Sequence, residues 1–390
     1  MTSILFIEAG TYGGGSFESL YLHLKYINRE LYRPIVVLFN RTKYDNLFAS
    51  INVDVHHIDD PVYSIELSSL PIKVIRKICS KAHRFNIRIL KYVLRICHLK
   101  TIRIIKKIIK AKDISLIHMN DQILRDLFCV LISSDTKLPC VSHLRSMRSN
   151  GFTKQIADYA NSKVTVYVAN SESTKNHWKN LGLDEKKIEV IHNAIELRDV
   201  NEVRDNSKYS EITETKLGCI ANFNDAKGHD FLIRSFYELT KKSDKYILFL
   251  AGKGSSEKKI RNLVEELNIK NKVLFLGYVE DSFSILSFID ILLVPSKNEA
   301  FGRVILEGMV SGIPVIATKI GGIPEVIQNG FNGILVEYGD TKALIDAILN
   351  LTSNELLIEN ITKNARSLVQ EKFSIGRYIK EIDNVYRKVI

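Results

Sequence analysis

From Asn298 to Glu325 the chain reads NEAFGRVILEGMVSGIPVIATKIGGIPE, with Glu299 and Glu307 separated by seven residues and set around a Phe301-Gly302-Arg303 entry to a helix. Exposed backbone N–H groups and the helix dipole make such an entry an anion site. A carboxylate one or two turns further on accepts hydrogen bonds from neighbouring sugar hydroxyls. Phosphate beside sugar points to a nucleotide sugar as the class of ligand. Two readings compete with this one. Glutamates at a helix start are also ordinary surface residues favoured by the dipole, and a pair of them can be the acid and nucleophile of a glycosidase. Glycines at 302, 321 and 322 and prolines at 314 and 324 favour the ligand reading. A hydrolase, for its part, has no need of a diphosphate cradle.

Other residues fall at the carboxyl ends of strand-like runs, where open parallel sheets bind ligands. The loop Ala221-Asn222-Phe223-Asn224-Asp225-Ala226-Lys227-Gly228 follows one such run and opens a helix, so the Lys227 ammonium can meet a diphosphate. Gly252 and Gly254 follow another run and permit close backbone approach to a base or phosphate, tight-turn geometry being the plainer reading. Near the start, Gly10-Thr11-Tyr12-Gly13-Gly14-Gly15-Ser16 precedes a helix, and Gly14 and Gly15 let that loop present N–H groups to a donor phosphate or an acceptor. With Glu at position 18 the pattern is not G-x-G-x-x-G, which disfavours a nicotinamide or flavin cofactor. His118 and His143 each end a strand-like run. A lone histidine is more often structural, but two at strand ends are candidates for chemistry, with His118 in acceptor binding. Arg145 and Arg148 can hold an anionic acceptor such as a lipid phosphate, or simply be solvated.

The two glutamates with Phe-Gly after the first, the Gly-x-Pro-Val strand and the Gly-Gly-x-Pro-Glu turn resemble the donor-site signature of family 4 glycosyltransferases of the GT-B fold. Ala251-Gly252-Lys253-Gly254, Phe275-Leu276-Gly277, Val190-Ile191-His192-Asn193 and Lys227-Gly228 stand in that family's order. The resemblance implies two Rossmann-like domains facing a cleft and a retaining transfer from a UDP- or GDP-sugar to a lipid-linked saccharide or similar polysaccharide precursor. It assigns Glu299 to hydroxyls of the donor sugar, Glu307 to the ribose hydroxyls, and His143 to the neighbourhood of the transferred bond. The family usually carries Arg where Asn222 stands, paired with the lysine as a cationic clamp. Its absence makes Arg303 the nearest replacement in sequence. No cofactor is expected, and no obligatory metal, since the chain lacks an Asp-x-Asp pair. A GT-B sugar-nucleotide epimerase and a non-catalytic scaffold of a polysaccharide assembly remain the alternatives.

The elements that must position these residues alternate between apolar runs and helical patterns. Ile4 to Ile7, Ile35 to Phe39, Leu116 to His118, Val164 to Val168, Leu217 to Ile220, Ile247 to Ala251, Val273 to Leu276, Ile291 to Val294 and Val315 to Ala317 read as strands, which predicts parallel sheets buried on both faces. At 390 residues the chain exceeds one core. The expected division is an acceptor-binding domain over 1–196, a nucleotide-sugar domain over 197–372, and a helix over 373–390 that returns to the first domain. The polar run 197–215 reads as the linker, and Ile379, Ile382, Tyr386 and Val389 as the apolar stripe of the last helix.

Five scattered cysteines suggest neither disulfides nor a zinc site. Met1 to Ala9 reads as a strand rather than an export leader, so the expected place is the cytoplasm. The net charge of +11 is concentrated: residues 66–112 carry fourteen Lys or Arg and one acid, Glu66. Within 72–112, Ile75, Ile78, Ala82, Phe85, Ile89, Tyr92, Ile96 and Leu99 fall on one side at helical spacing, with Arg76, Lys77, Arg84, Arg88, Lys91 and Arg95 around them. That reads as an amphipathic helix on an anionic leaflet, where each basic residue contributes on the order of 1 kcal/mol. The alternative, compatible in part with the first, is that part of the stripe packs on the first sheet and the cations are merely solvated. Nucleic acid is disfavoured as a partner, because no nucleic-acid motif accompanies the charge.

Overall fold

A computed structural model describes residues 1–10, 14–42, 44–60, 87–121, 123–197, 209 and 211–390. The chain forms two compact units, Met1–Asn193 with Ile375–Ile390, and Ala194–Ser374. Most of the polar run expected to link them lies outside the described residues.

The first unit is built on seven parallel strands: β1 (Thr2–Glu8), β2 (Tyr32–Leu38), β3 (Asp54–His57), β4 (Ile114–Met119), β5 (Cys140–Leu144), β6 (Val166–Ala169) and β7 (Ile188–Val190). Their order is β3-β2-β1-β4-β5-β6-β7. The second unit has six: β8 (Thr215–Ile220), β9 (Tyr246–Ala251), β10 (Val273–Gly277), β11 (Ile291–Val294), β12 (Val315–Thr318) and β13 (Ile334–Val336), in the order β10-β9-β8-β11-β12-β13. Each sheet reverses direction of winding once, between β1 and β4 and between β8 and β11, which makes both units doubly wound α/β folds. Central strands such as Ile4–Ile7 and Leu248–Leu250 are fully buried, as strands covered by helices on both faces must be. β3, β7 and β13 escape a reading from apolar runs because they are short edge strands; β3 is Asp-Val-His-His.

The C-terminal helix Ile375–Val389 belongs to the first unit and buries Tyr378, Ile382, Val385 and Tyr386. Its inward face is thus rotated from the expected stripe, and Ile379 and Val389 are only half-buried. The Tyr32 hydroxyl donates to Asp383 at 2.6 Å and helps to fix the helix.

Of the basic segment, residues 61–86 lie outside the described residues, including the expected helix positions from Ile75 to Phe85. The remainder forms two helices, Ile87–Cys97 and Leu99–Ala111. At the joint, buried His98 sets Nδ1 2.8 Å from Asp60 Oδ2, the Thr101 hydroxyl donates to the same oxygen, and the ring stacks on Phe128. Leu90, Leu94, Cys97, Ile102, Ile105 and Ile108 face the core. Ile89, Tyr92, Ile96 and Leu99 face outward and are 49%, 66%, 57% and 46% exposed. These four described positions of the expected stripe thus lie on a face distinct from the one that packs on the unit. No helix among the described residues is long and apolar enough to cross a membrane.

Candidate active site

In the second unit, loops after β8, β11 and β12 are pressed together at the carboxyl ends of the strands. After β8, the Asn224 side chain caps a 3-10 turn, Asp225–Lys227, by accepting from the Ala226 N–H at 3.1 Å. Gly228 follows at φ +67°, and a β-carbon there would lie 1.9 Å from the Pro295 carbonyl oxygen, so only glycine lets this loop approach the one after β11. The Lys297 and Asn298 N–H groups both donate to the Ala226 carbonyl, at 2.8 and 3.1 Å. That contact brings Lys227 Nζ to 2.5 Å from Glu299 Oε2, which also accepts from the Ser296 hydroxyl at 3.3 Å. The loop after β12 braces the glutamate from the other side: the Gly322 N–H donates to the Glu299 carbonyl at 3.0 Å, and a β-carbon on Gly322 would lie 2.2 Å from the Ala300 oxygen.

Phe301 is buried edge-on to Phe373 and anchors the turn. Gly302, at φ +87°, starts the helix Arg303–Val310, whose first turn no side chain caps. One turn on, Glu307 Oε1 lies 3.2 Å from Arg303 Nε and Oε2 accepts from Ser282 at 2.7 Å. Arg303 also donates to the Ala194 carbonyl at 3.3 Å. Arg303 is thus partly buried and ion-paired. The unit holds two carboxylates, each paired with one cation, around a helix N-terminus.

Gly252 and Gly254 are required by the chain's own packing, since β-carbons there would lie 2.0 Å from the Ala221 oxygen and 2.2 Å from the Phe223 oxygen. Asn222 is exposed, and its carbonyl accepts from the Asn224 N–H.

In the first unit the strand-end residues gather at the β1/β4 switch point. Glu8, the last residue of β1, is fully buried; it accepts from the Gly10 N–H at 2.7 Å and from Asn120 at 2.5 Å. Burial, then the Asp121 charge, raises its carboxyl to about 7. Sequence reading missed Glu8; the signal was a lone acid closing an apolar strand. Arg145 donates to the Asn120 carbonyl and side chain and to the Asn193 side chain, each at 2.9 Å, so it ties strand ends together, while Arg148 is exposed. Gly14, at φ +151°, precedes the helix Gly15–Tyr26 with no side-chain cap; residues 11–13 of that loop lie outside the described residues.

His118 and His143 are both buried, with His118 Nε2 2.7 Å from His143 Nδ1 and His118 Nδ1 2.5 Å from the Tyr386 hydroxyl. The expectation that His118 binds an acceptor is corrected here: both its ring nitrogens are engaged by the protein. Burial drives both histidines well below the ordinary imidazole range. Among the described residues no group of acidic, His or Cys side chains is arranged to hold a metal ion.

The model of the family described as Glycosyl transferases group 1 matches residues 203–368, and that of Glycosyltransferase Family 4 matches 74–199. The chain belongs to glycosyltransferase family 4. N-acetyl-alpha-D-glucosaminyl L-malate synthase of Bacillus anthracis is 34% identical over 58% of this glycosyltransferase chain and 60% of its own. The capsular polysaccharide biosynthesis glycosyltransferase CapM of Staphylococcus aureus is 28% identical over 53% and 52%. The chain thus spans between half and about three-fifths of the length of these curated relatives. The crystal structure of Anabaena HepE in complex with UDP and glucose covers 100% of both chains at a TM-score of 0.76 and 21% identity, and therefore shares the fold. Sucrose-phosphate synthase from Thermosynechococcus elongatus does so at 0.79 and 17%, over 100% of this chain and 99% of its own.

Proposed function

We propose that the protein is a retaining glycosyltransferase that moves a sugar from a UDP- or GDP-sugar to a lipid-linked saccharide or a similar polysaccharide precursor. The observation that carries this reading is the pairing of Lys227 with Glu299 and of Arg303 with Glu307 on either side of the Gly302 helix start. As the bond from the anomeric carbon to the phosphate oxygen breaks, positive charge grows on the ring and negative charge on the departing diphosphate, so preorganised charge is the main source of rate. Lys227, the Gly302 helix start and Arg303 stabilise the diphosphate, Glu299 orients the sugar and Glu307 the ribose. The pre-existing ion pairs hold both carboxylates in position before the donor arrives. No metal is needed in this scheme, because two cations and a helix terminus already oppose the leaving charge. Family membership supports retention, and the UDP and glucose in the HepE complex support the donor class.

A membrane-borne acceptor is supported by the outward stripe Ile89-Tyr92-Ile96-Leu99. Exposed basic residues Arg88, Arg95, Lys100 and Arg103 flank it. Apolar side chains at this exposure, rimmed by cations, fit the boundary of an anionic leaflet, which supports a peripheral position on the cytoplasmic face.

The test is transfer of radiolabel from a panel of nucleotide sugars into a membrane lipid extract, with and without a chelator. Label from a UDP- or GDP-sugar should enter the lipid fraction at the same rate in both. Release of a free epimerised nucleotide sugar without transfer would replace the reading by the epimerase, and unchanged turnover after Glu299→Gln with Glu307→Gln would remove it.

A further inference from the structure

Four fully buried side chains of the first unit form one continuous hydrogen-bond line: His143, His118, Tyr386 and His23. The links are 2.7 Å from His143 Nδ1 to His118 Nε2, 2.5 Å from His118 Nδ1 to the Tyr386 hydroxyl, and 3.3 Å from that hydroxyl to His23 Nε2. Phe6 stacks on His118 and meets His23 edge-on, closing the line to water. Burial holds all three imidazoles neutral, His23 at about 3 and the others well below their ordinary range.

Neutral imidazoles carry one N–H each and the phenol one O–H, so three contacts can be satisfied in only two ways. In the first, Tyr386 donates to His118, His118 donates from Nε2 to His143, and His143 is left with its proton on Nε2. In the second every donor is reversed, and the spare N–H appears on His23 Nδ1. Both end atoms, His143 Nε2 and His23 Nδ1, are buried without a partner.

Two observations favour the first arrangement. The hydroxyl lies 0.8 Å nearer His118 than His23, as the bond it donates should. A buried N–H without a partner is also rare, and the second arrangement would strand it between Phe6 and the tyrosines Tyr378 and Tyr386, which ring His23. The first puts it on the penultimate residue of β5, toward the carboxyl edge of the sheet, where ligands bind.

We propose that Tyr386 is a positioning residue: through His118 it fixes His143 as the Nε2–H tautomer, so that His143 donates a hydrogen bond to an oxygen of the substrate. The inference rests on the glycosyltransferase reading for the identity of that oxygen as a sugar hydroxyl or phosphate oxygen, but not for the tautomer. The line gives the C-terminal helix a role in the site beyond covering the sheet.

The experiment is 15N NMR of histidine-labelled full-length protein, with His143 identified by the signal missing in His143→Gln. The expected wild-type spectrum has His143 neutral with its proton on Nε2. Tyr386→Phe should move that proton toward Nδ1 and lower kcat roughly tenfold with donor KM nearly unchanged, the signature of an interaction made mainly in the transition state. His23→Leu should leave the His143 tautomer as in wild type, and it decides the matter if Tyr386→Phe fails to fold. A proton on Nδ1 in the wild type, a tautomer indifferent to Tyr386→Phe, or one that reverses in His23→Leu overturns the proposal. Tautomers as expected with no transfer from any nucleotide sugar would defeat the functional reading and leave the hydrogen-bond line intact.

Discussion

Lowering the pH from 7 to 5.5 should destabilise the first unit by about 2 kcal/mol, and Glu8→Gln should roughly double that loss. His23, His118 and His143 stay neutral in the folded unit through this window because burial penalises their charged forms, whereas in the unfolded chain each titrates near 6.5. The unfolded state therefore binds protons that the folded state refuses. Stability present above pH 6.5 drains away as the pH falls, by about 1.3 kcal/mol per histidine between pH 7 and 5.5, or about 4 kcal/mol for three. Glu8 works the other way. Its carboxyl is raised from 4.5 to about 7, first by burial and then by Asp121, so the folded state takes up its proton first. That contribution is fully present below 4.5 and is lost as the pH rises through 7; on acidification from 7 to 5.5 it returns about 1.6 kcal/mol. The histidines win, three groups against one. The assay is urea unfolding at each pH followed through Trp178, the chain's one tryptophan, buried in this unit with its indole N–H donating to the Ser146 carbonyl at 2.9 Å. Stability that is flat or rising toward pH 5.5 would refute the account of a neutral histidine line, and a Glu8→Gln variant with the wild-type slope would refute the opposing role of Glu8.

Lys227→Ala should lower kcat roughly 100-fold, because it removes a cation from the leaving diphosphate and leaves Glu299 without its partner. Arg303→Ala should lower kcat by about tenfold, through the charge it places on the leaving diphosphate, and raise donor KM through the Glu307 it holds; a wild-type kcat in this variant would contradict its role at the diphosphate. Gly228→Ala sets a β-carbon against the Pro295 oxygen at positive φ, so calorimetry should show the second unit destabilised by at least about 2 kcal/mol together with weaker nucleotide-sugar binding. A wild-type melting temperature would mean that the two loops need not touch.

What could be read ahead of the structure followed from how local each feature is. Central strands announce themselves as unbroken apolar runs because both of their faces are buried, and the Glu299–Glu307 block is legible because one loop and one helix turn carry it. Edge strands β3, β7 and β13 lack that signal. The spacing of Ile89, Tyr92, Ile96 and Leu99 showed a stripe but not which side of it faced water, since Leu90, Leu94 and Cys97 make a second stripe on the same helix and only packing chooses between them. The histidine line was beyond reach for a different reason: Tyr386 lies 268 residues from His118 and read as one more apolar position of the last helix. Burial of its hydroxyl between two imidazoles changes its meaning, because the direction in which the phenol donates orders every proton along the line. A strand-end histidine thus gains its chemistry from a residue at the far end of the chain, and the apolar stripe that makes the C-terminal helix look like mere cover is what excludes the water that would otherwise scramble the tautomers.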